Sequence, residues 1–94
     1  WTGKFKASAT MNYRFCTDSD DGVRVWLNNA LIIDSYNDHA LKRDCSAAIA
    51  LNKDQEVNIR LDFYENAGFA VIKLYSGPST ASQTIIPMEN FFPE

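Results

Sequence analysis

The sequence predicts an all-β protein folded as an antiparallel β-sandwich. Apolar and polar residues alternate with a period of two along most of the chain, and the spacing of an amphipathic helix is scarce. Turn-forming residues separate the alternating runs, and about seven or eight short strands divided in this way are typical of a sandwich or barrel. The 94 residues suffice for one small domain, predicted to span 1–94.

The first half of the chain contains four predicted strands. They cover residues 1–6, 11–17, 22–27 and 30–34. Alternation within the third strand places Arg24 and Trp26 on the face opposite the apolar one. Asn28 and Asn29 predict a short turn before the fourth strand, because asparagine tolerates the left-handed backbone conformation.

The second half opens with a polar, mixed stretch at 35–44, which predicts a surface loop. Three further strands and an extended apolar segment follow. They cover residues 45–51, 56–65, 69–76 and 84–92. The run 56–65 alternates most regularly, and 77–82 is predicted as a loop.

Composition excludes two classes of partner. The net charge is −3 and no basic stripe occurs, so nucleic acid is not an expected partner. Wholly apolar runs such as 30–33 are far too short to insert across a bilayer. The chain begins at Trp1 without methionine, from which we expect a mature or excised fragment.

Two cysteines, Cys16 and Cys45, permit one disulfide or two buried thiols. Cys16 is out of phase with the alternation of Tyr13 and Phe15, whereas Cys45 is in phase with the apolar positions that follow it. This mismatch argues mildly against a bridge, and the sequence leaves both alternatives open.

The acidic stretch 18–22, Asp-Ser-Asp-Asp-Gly, gathers hard oxygen ligands of the kind that calcium prefers. It is predicted as a turn at the tip of a hairpin. An EF-hand is excluded, because Gly22 comes one position early relative to Asp18 and the twelfth position is Asn29 in place of glutamate. Asp-Asp-Gly is also a common structural turn, which is the alternative to a metal site.

A series of motifs in a fixed order resembles the protective-antigen-type β-sandwich domain over essentially the whole chain. The motifs are Trp-Thr-Gly at 1–3, Tyr-x-Phe at 13–15, Ser-Asp-Asp-Gly-Val-Arg-Val-Trp-Leu at 19–27, Leu-Ile-Ile-Asp at 31–34, Arg-Leu-x-Phe-Tyr-Glu at 60–65, Ala-x-Ile-x-Leu-Tyr at 70–75 and Ile-Pro at 86–87. This family occurs in fungal flocculins and adhesins, glycosidase inserts, bacterial surface proteins and toxin components. The resemblance implies an extracellular or cell-surface module that often binds glycans.

The resemblance also implies a strand before the Trp-Thr-Gly motif, which family members usually have. Either the fragment was cut short before that strand, or a neighbouring domain or chain supplies it and completes the sheet, because an uncovered edge invites pairing.

Flocculin-like members bind calcium through adjacent aspartates joined by a cis peptide and through an asparagine from a second loop. By resemblance, Asp20, Asp21 and Asn66 are the matching ligands here. The backbone carbonyls of Gly68 and Ala70 match two further ligands of the family. The resemblance therefore implies a Ca²⁺ site whose parts lie more than forty residues apart.

The loops beside this site are expected to shape sugar specificity. Besides the acidic pair and Asn66, the predicted glycan-binding residues are Tyr36, Asn37, His39 and Phe69. The alternatives are a solvated loop residue for His39 and core packing for the aromatic residues. A calcium-dependent carbohydrate-binding module is therefore predicted, with a structural or protein-interaction module as the alternative. No catalytic constellation supports an enzyme.

Overall fold

The computed structural model describes residues 1–37, 40–64, 71–79 and 81–86. Within these residues the regular elements are all strands, which confirms the all-β prediction. The strands are β1 (Thr2–Lys6), β2 (Met11–Asp20), β3 (Val23–Leu27), β4 (Ala30–Ser35), β5 (Lys42–Cys45), β6 (Ile49–Leu51), β7 (Glu56–Phe63), β8 (Val71–Ser79) and β9 (Ser82–Ile86). The described part of the chain contains no helix of the length and apolarity needed to cross a membrane.

The strands form two antiparallel sheets, as predicted for a sandwich. The four-stranded sheet has the order β1-β7-β3-β4. The five-stranded sheet has the order β5-β2-β8-β9, and β6 pairs with the first part of β2 beside β5. The two-residue turn predicted at Asn28 and Asn29 is confirmed, and both residues have positive φ.

Apolar side chains from both sheets meet between them and form the core. Its buried members are Ala7, Tyr13, Phe15, Val23, Val25, Leu27, Ile33, Leu51, Val57, Ile59, Leu61, Phe63 and Leu74. The ring of Phe5 bridges the sheets through edge contacts with Tyr13 and Phe15, at centroid distances of 5.5 and 5.2 Å. Burial of this apolar surface is the main force that holds the sheets face to face.

Strand β2 is longer than the sequence predicts. The prediction that all of 18–22 forms a turn was therefore wrong in part. The strand continues through Asp18 to Asp20, so only two residues are left to connect it to β3. Thr17 and Ser19 occupy fully buried positions at the end of the strand. The inward row therefore ends in hydroxyls, and the apolar alternation that marks a strand stops before the strand does.

The predicted loop 35–44 and the predicted strand 45–51 were both wrong in part. Lys42–Cys45 forms β5 and Ile49–Leu51 forms β6, with Ser46 between them. The Ser46 amide donates to the Phe15 carbonyl at 2.8 Å, and the Ser46 Oγ accepts from the Phe15 amide at 3.0 Å. Ser46 therefore satisfies the backbone of Phe15 at the point where β2 passes from pairing with β5 to pairing with β6. Strand β5 was missed in the sequence because it is a polar edge strand without apolar alternation.

The disulfide, which the sequence left open, is formed between Cys16 and Cys45. The two residues are direct partners across the β2–β5 ladder, with their Cα atoms 4.1 Å apart. Cys16 is fully buried despite its phase, and its side chain is bonded to Cys45 on the neighbouring strand. The mismatch in alternation was therefore wrong as evidence against a disulfide, because alternation shows only which side chains point into the core.

The predicted loop 77–82 was also wrong in part. Strand β8 extends to Ser79 and β9 begins at Ser82, so the two form a tight hairpin. A Cβ added to Gly77 would overlap the Ser82 carbonyl oxygen, which explains a glycine inside the ladder. The Gln83 side-chain amide donates to the Ser79 carbonyl at 2.6 Å and helps to close the hairpin.

Asp18 and Arg43 form a two-pronged ion pair on the outer face of the five-stranded sheet. The Nε–Oδ1 and Nη2–Oδ2 distances are 2.7 and 2.9 Å, and the Arg43 guanidinium lies 4.6 Å from the centre of the Tyr75 ring. The hydrogen bonds from Arg43 hold the pKa of Asp18 below its usual value. The Asp18 side chain thus faces away from the core, and its ion pair with Arg43 links β2 to β5.

We expect Asp18→Asn to cost about 0.5–1 kcal/mol at neutral pH, the range for a partly exposed pair. Because the pKa of Asp18 is lower in the folded protein than in the unfolded chain, the ion pair stabilises the fold at pH values above the unfolded-state pKa of about 3.9. This stabilisation is lost as the pH falls through the folded-state pKa. The gap in unfolding free energy between wild type and variant should therefore close below about pH 4. Urea unfolding at several pH values measures it, and a gap that stays constant to pH 2 contradicts the assignment.

Candidate functional site

Several strands start or stop together at one end of the sandwich, which we call the turn end. There β2 finishes at Asp20 and β3 starts at Val23. Ser35 of β4 and Phe63 of β7 both pair with Val23, and Val71 of β8 pairs with Asp20. The connections after β2, β4 and β7 therefore leave the sheets from the same place.

The two predicted carboxylates lie at this end on adjacent residues. Asp20 is half-buried and Asp21 is only 7% exposed. The peptide bond between them is cis, the geometry that the resemblance implies. No group of three or more His, Cys, Asp or Glu side chains suited to a metal ion occurs within residues 1–37, 40–64, 71–79 and 81–86. Among the described residues, the acidic pair is therefore not part of a larger cluster of such side chains.

Gly22 completes the turn and brings the other connections onto it. Its carbonyl accepts a hydrogen bond from the Tyr64 amide at 3.0 Å. A Cβ added to Gly22 would overlap Cε1 of the Tyr64 ring and would lie 3.0 Å from the Asn37 amide nitrogen. Glycine is therefore needed here for close packing, because any side chain would displace Tyr64 and the Asn37 backbone.

We expect Gly22→Ala to destabilise the protein by about 1–3 kcal/mol, the cost of overpacking a filled site. Thermal or urea unfolding measures it. Tyr64→Ala provides the control background, because it removes the ring that the new methyl group meets. The alanine should cost distinctly less in that background, and an equal cost in both would show that the ring contact is not the cause.

Two tyrosines pack beside the turn. The rings of Tyr36 and Tyr64 meet edge to face with centroids 4.7 Å apart. The Arg24 guanidinium lies 4.7 Å from the centre of the Tyr36 ring and is itself held by Asp34 at 2.9 Å. Tyr36 is half-buried by these contacts. The predicted ligand residue Tyr36 is therefore close to the acidic turn but also has a packing role.

Of the other predicted residues, Asn37 is exposed and its backbone lies against Gly22. The rest are outside the described residues. These are His39, Asn66, Gly68, Phe69 and Ala70. Their assignments as ligands stay predictions. The described residues on either side of 65–70 both interact with the stretch 20–22. Tyr64 bonds to Gly22, and Val71 pairs with Asp20.

The sequence interpretation missed a feature of the outer face of the four-stranded sheet. Trp26 is half-buried there and borders a groove together with Arg60 and Asn58. Strand alternation already placed Trp26 on the face opposite the apolar one. The missing information was that β3 and β7 are neighbours, which sets Trp26 opposite Arg60.

Residues 1–90 match the protein family described as "PA14 domain". The chain belongs to the PA14 domain family. The resemblance to the protective-antigen-type sandwich is thereby confirmed, and the two-sheet architecture of this PA14 domain agrees with it.

Relatives of this PA14 domain include anti-sigma factors. It is 32% identical over 92 residues to the anti-sigma-I factor RsgI3 of Acetivibrio thermocellus, a match that covers 98% of this chain and 14% of that protein. An anti-sigma factor domain-containing protein from Clostridium clariflavum has a TM-score of 0.78 at 27% identity, over 100% of this chain and 32% of the other. The chain thus spans only a minor part of these relatives.

The PA14 sugar-binding domain from an RTX adhesin has the same fold. Its TM-score is 0.68 at 18% identity, over 90% of this chain and 48% of the adhesin chain.

Proposed function

We propose that this PA14 domain is a calcium-dependent carbohydrate-binding module outside the cell, which senses or targets polysaccharide for a larger protein. The names of its relatives support the two halves of this proposal. One similar domain is named as sugar-binding, and others belong to anti-sigma factors. A glycan-binding module on such a protein would couple an external polysaccharide to regulation, without any catalytic role.

The observation that carries the proposal is the placement of the acidic pair between both ends of the segment 65–70. Of the two residues that flank this segment, Tyr64 donates a hydrogen bond to Gly22, and Val71 pairs with Asp20 in the β2–β8 ladder. Asn66 follows Tyr64 by two residues, and two residues of chain span at most about 7 Å. An amide ligand from this position can therefore reach a cation held by Asp20 and Asp21.

The donor set has the chemistry that calcium requires. Two carboxylates, the Asn66 amide oxygen and the carbonyls of Gly68 and Ala70 would give roughly five oxygens, and calcium takes about six to eight. The remaining positions, about one to three, suit vicinal sugar hydroxyls. The carboxylates would neutralise the ion, and Tyr36, Asn37, His39 and Phe69 would border the sugar.

The Cys16–Cys45 disulfide supports the proposed location outside the cell. Disulfides persist in secreted and surface proteins and are rare where thiols are kept reduced. A single sugar bound through a few hydroxyls should bind weakly, near a millimolar constant or about 4 kcal/mol. Polymeric ligands or repeated modules would then supply the useful avidity.

Binding to an array of polysaccharides with calcium and with chelator tests the proposal, followed by calorimetry on the best ligand. We expect binding that chelator removes and calcium restores. Binding that is indifferent to chelator would refute the calcium mechanism.

A structural or protein-interaction module is the second candidate. The contacts of Tyr64 with Gly22 and Tyr36 already join three connections at the turn end, and calcium would only rigidify them. This role predicts a melting temperature raised by calcium with no glycan bound on the array.

A further inference from the structure

A groove of about 380 Å³ lies on the outer face of the four-stranded sheet, away from the turn end. Its volume is within the range of small-ligand sites. Its polar and aromatic lining comes from β1, β3, β7 and the turn after β3. The lining side chains are Thr2, Lys4, Trp26, Asn29, Asn58 and Arg60.

Strand register builds this groove from rows of outward side chains. Thr2 pairs with Arg60, and Arg60 pairs with Trp26 on the other side, which makes one row across three strands. Lys4 pairs with Asn58 in the next row. Adjacent strands are about 4.8 Å apart and alternate residues about 7 Å apart, so these groups surround an area the size of one sugar ring.

Trp26 and Arg60 form the floor of the groove. The Arg60 guanidinium lies 4.8 Å from the centre of the Trp26 ring. Asp62 fixes it there through two hydrogen bonds of 3.1 and 2.9 Å. The aromatic and planar cationic groups are therefore held in position before any ligand arrives, which lowers the entropic cost of binding.

The charge of the lining is opposite to that of the whole protein. Lys4 and Arg60 line the groove and no carboxylate does, although the chain carries a net charge of −3. Arg60 is already paired with Asp62, whereas Lys4 forms no ion pair with any residue that the structure describes. An exposed lysine beside a fixed arginine favours a ligand that brings its own negative charge.

We propose that this groove is a second glycan subsite, independent of calcium, which binds a carboxylated pyranose such as a uronic acid unit. The sugar ring packs against the stacked pair of Arg60 and Trp26, and its carboxylate lies between Lys4 and Arg60. The side-chain amides of Asn29 and Asn58 and the Thr2 hydroxyl bond the ring hydroxyls. This subsite extends the proposed glycan recognition but needs neither Asp20 nor Asp21.

Nitrogen–proton NMR titration with a galacturonate trimer tests the subsite, in chelator so that the calcium-dependent site is silent. We expect shifts at the Trp26 indole N–H and the side-chain amides of Asn29 and Asn58. Lys4→Gln should weaken binding about threefold to fivefold, as expected for one exposed charge contact. The neutral galactose trimer should bind more weakly by at least the same factor.

Two variants make the result specific. Lys53→Gln removes the same charge from an exposed turn outside the groove and should leave binding unchanged. Asp21→Asn should also leave it unchanged, so failure of the calcium site and failure of this subsite give different results. Absence of shifts in the groove, equal loss with Lys53→Gln, or equal binding of the neutral trimer would each overturn the proposal.

Discussion

Asp21→Asn is expected to abolish calcium-dependent glycan binding while the fold remains intact. The asparagine keeps the size and most of the hydrogen-bonding capacity of the carboxylate, so the 7%-exposed position stays filled. It removes one of the two negative charges proposed to hold the ion. Calcium affinity depends strongly on ligand charge, and we expect a loss of about two orders of magnitude. Calorimetric titration with calcium, and then with glycan, measures both steps.

Asp18→Asn is the matched control, because it is the same chemical change in the same acidic stretch. Its carboxylate is held by Arg43 on the outer face of the five-stranded sheet. Calcium and glycan binding should therefore survive in this variant, despite its small loss of stability. If Asp21→Asn retains chelator-sensitive binding, or if both variants lose it equally, the ion is not held by the pair.

Removal of the disulfide is expected to have the largest effect on stability. The bond joins residues 29 apart in sequence, and the chain-entropy estimate for a loop of that length is about 3–4 kcal/mol. A small domain has a total stability of about 5–15 kcal/mol, so the Cys16→Ala/Cys45→Ala protein should unfold at a markedly lower urea concentration. Urea unfolding followed by circular dichroism measures the change.

Reduction provides an independent control for this effect. A thiol reductant should destabilise the wild type by a comparable amount and leave the double variant unchanged. A double variant as stable as the oxidised wild type would show that the β2–β5 ladder and the Asp18–Arg43 pair suffice to hold the edge strand.

The location of the candidate site could be predicted better than the shape of its surroundings. The adjacent carboxylates and Gly22 are specified by a short local motif, and the structure places them at the tip between β2 and β3. The contact between Gly22 and Tyr64 joins residues forty-two positions apart. Side-chain contacts of this kind depend on which strands become neighbours, and local sequence patterns do not carry that information.

The sequence by itself determined the all-β class and the strands whose inward faces are apolar, such as β3 and β7. Their alternation records burial on one side, which is a local property. Only the tertiary structure decided the polar edge strand β5, its disulfide to β2 and the groove around Trp26. These features arise from pairing between distant strands, where backbone hydrogen bonds and register bring side chains together regardless of local hydrophobic pattern.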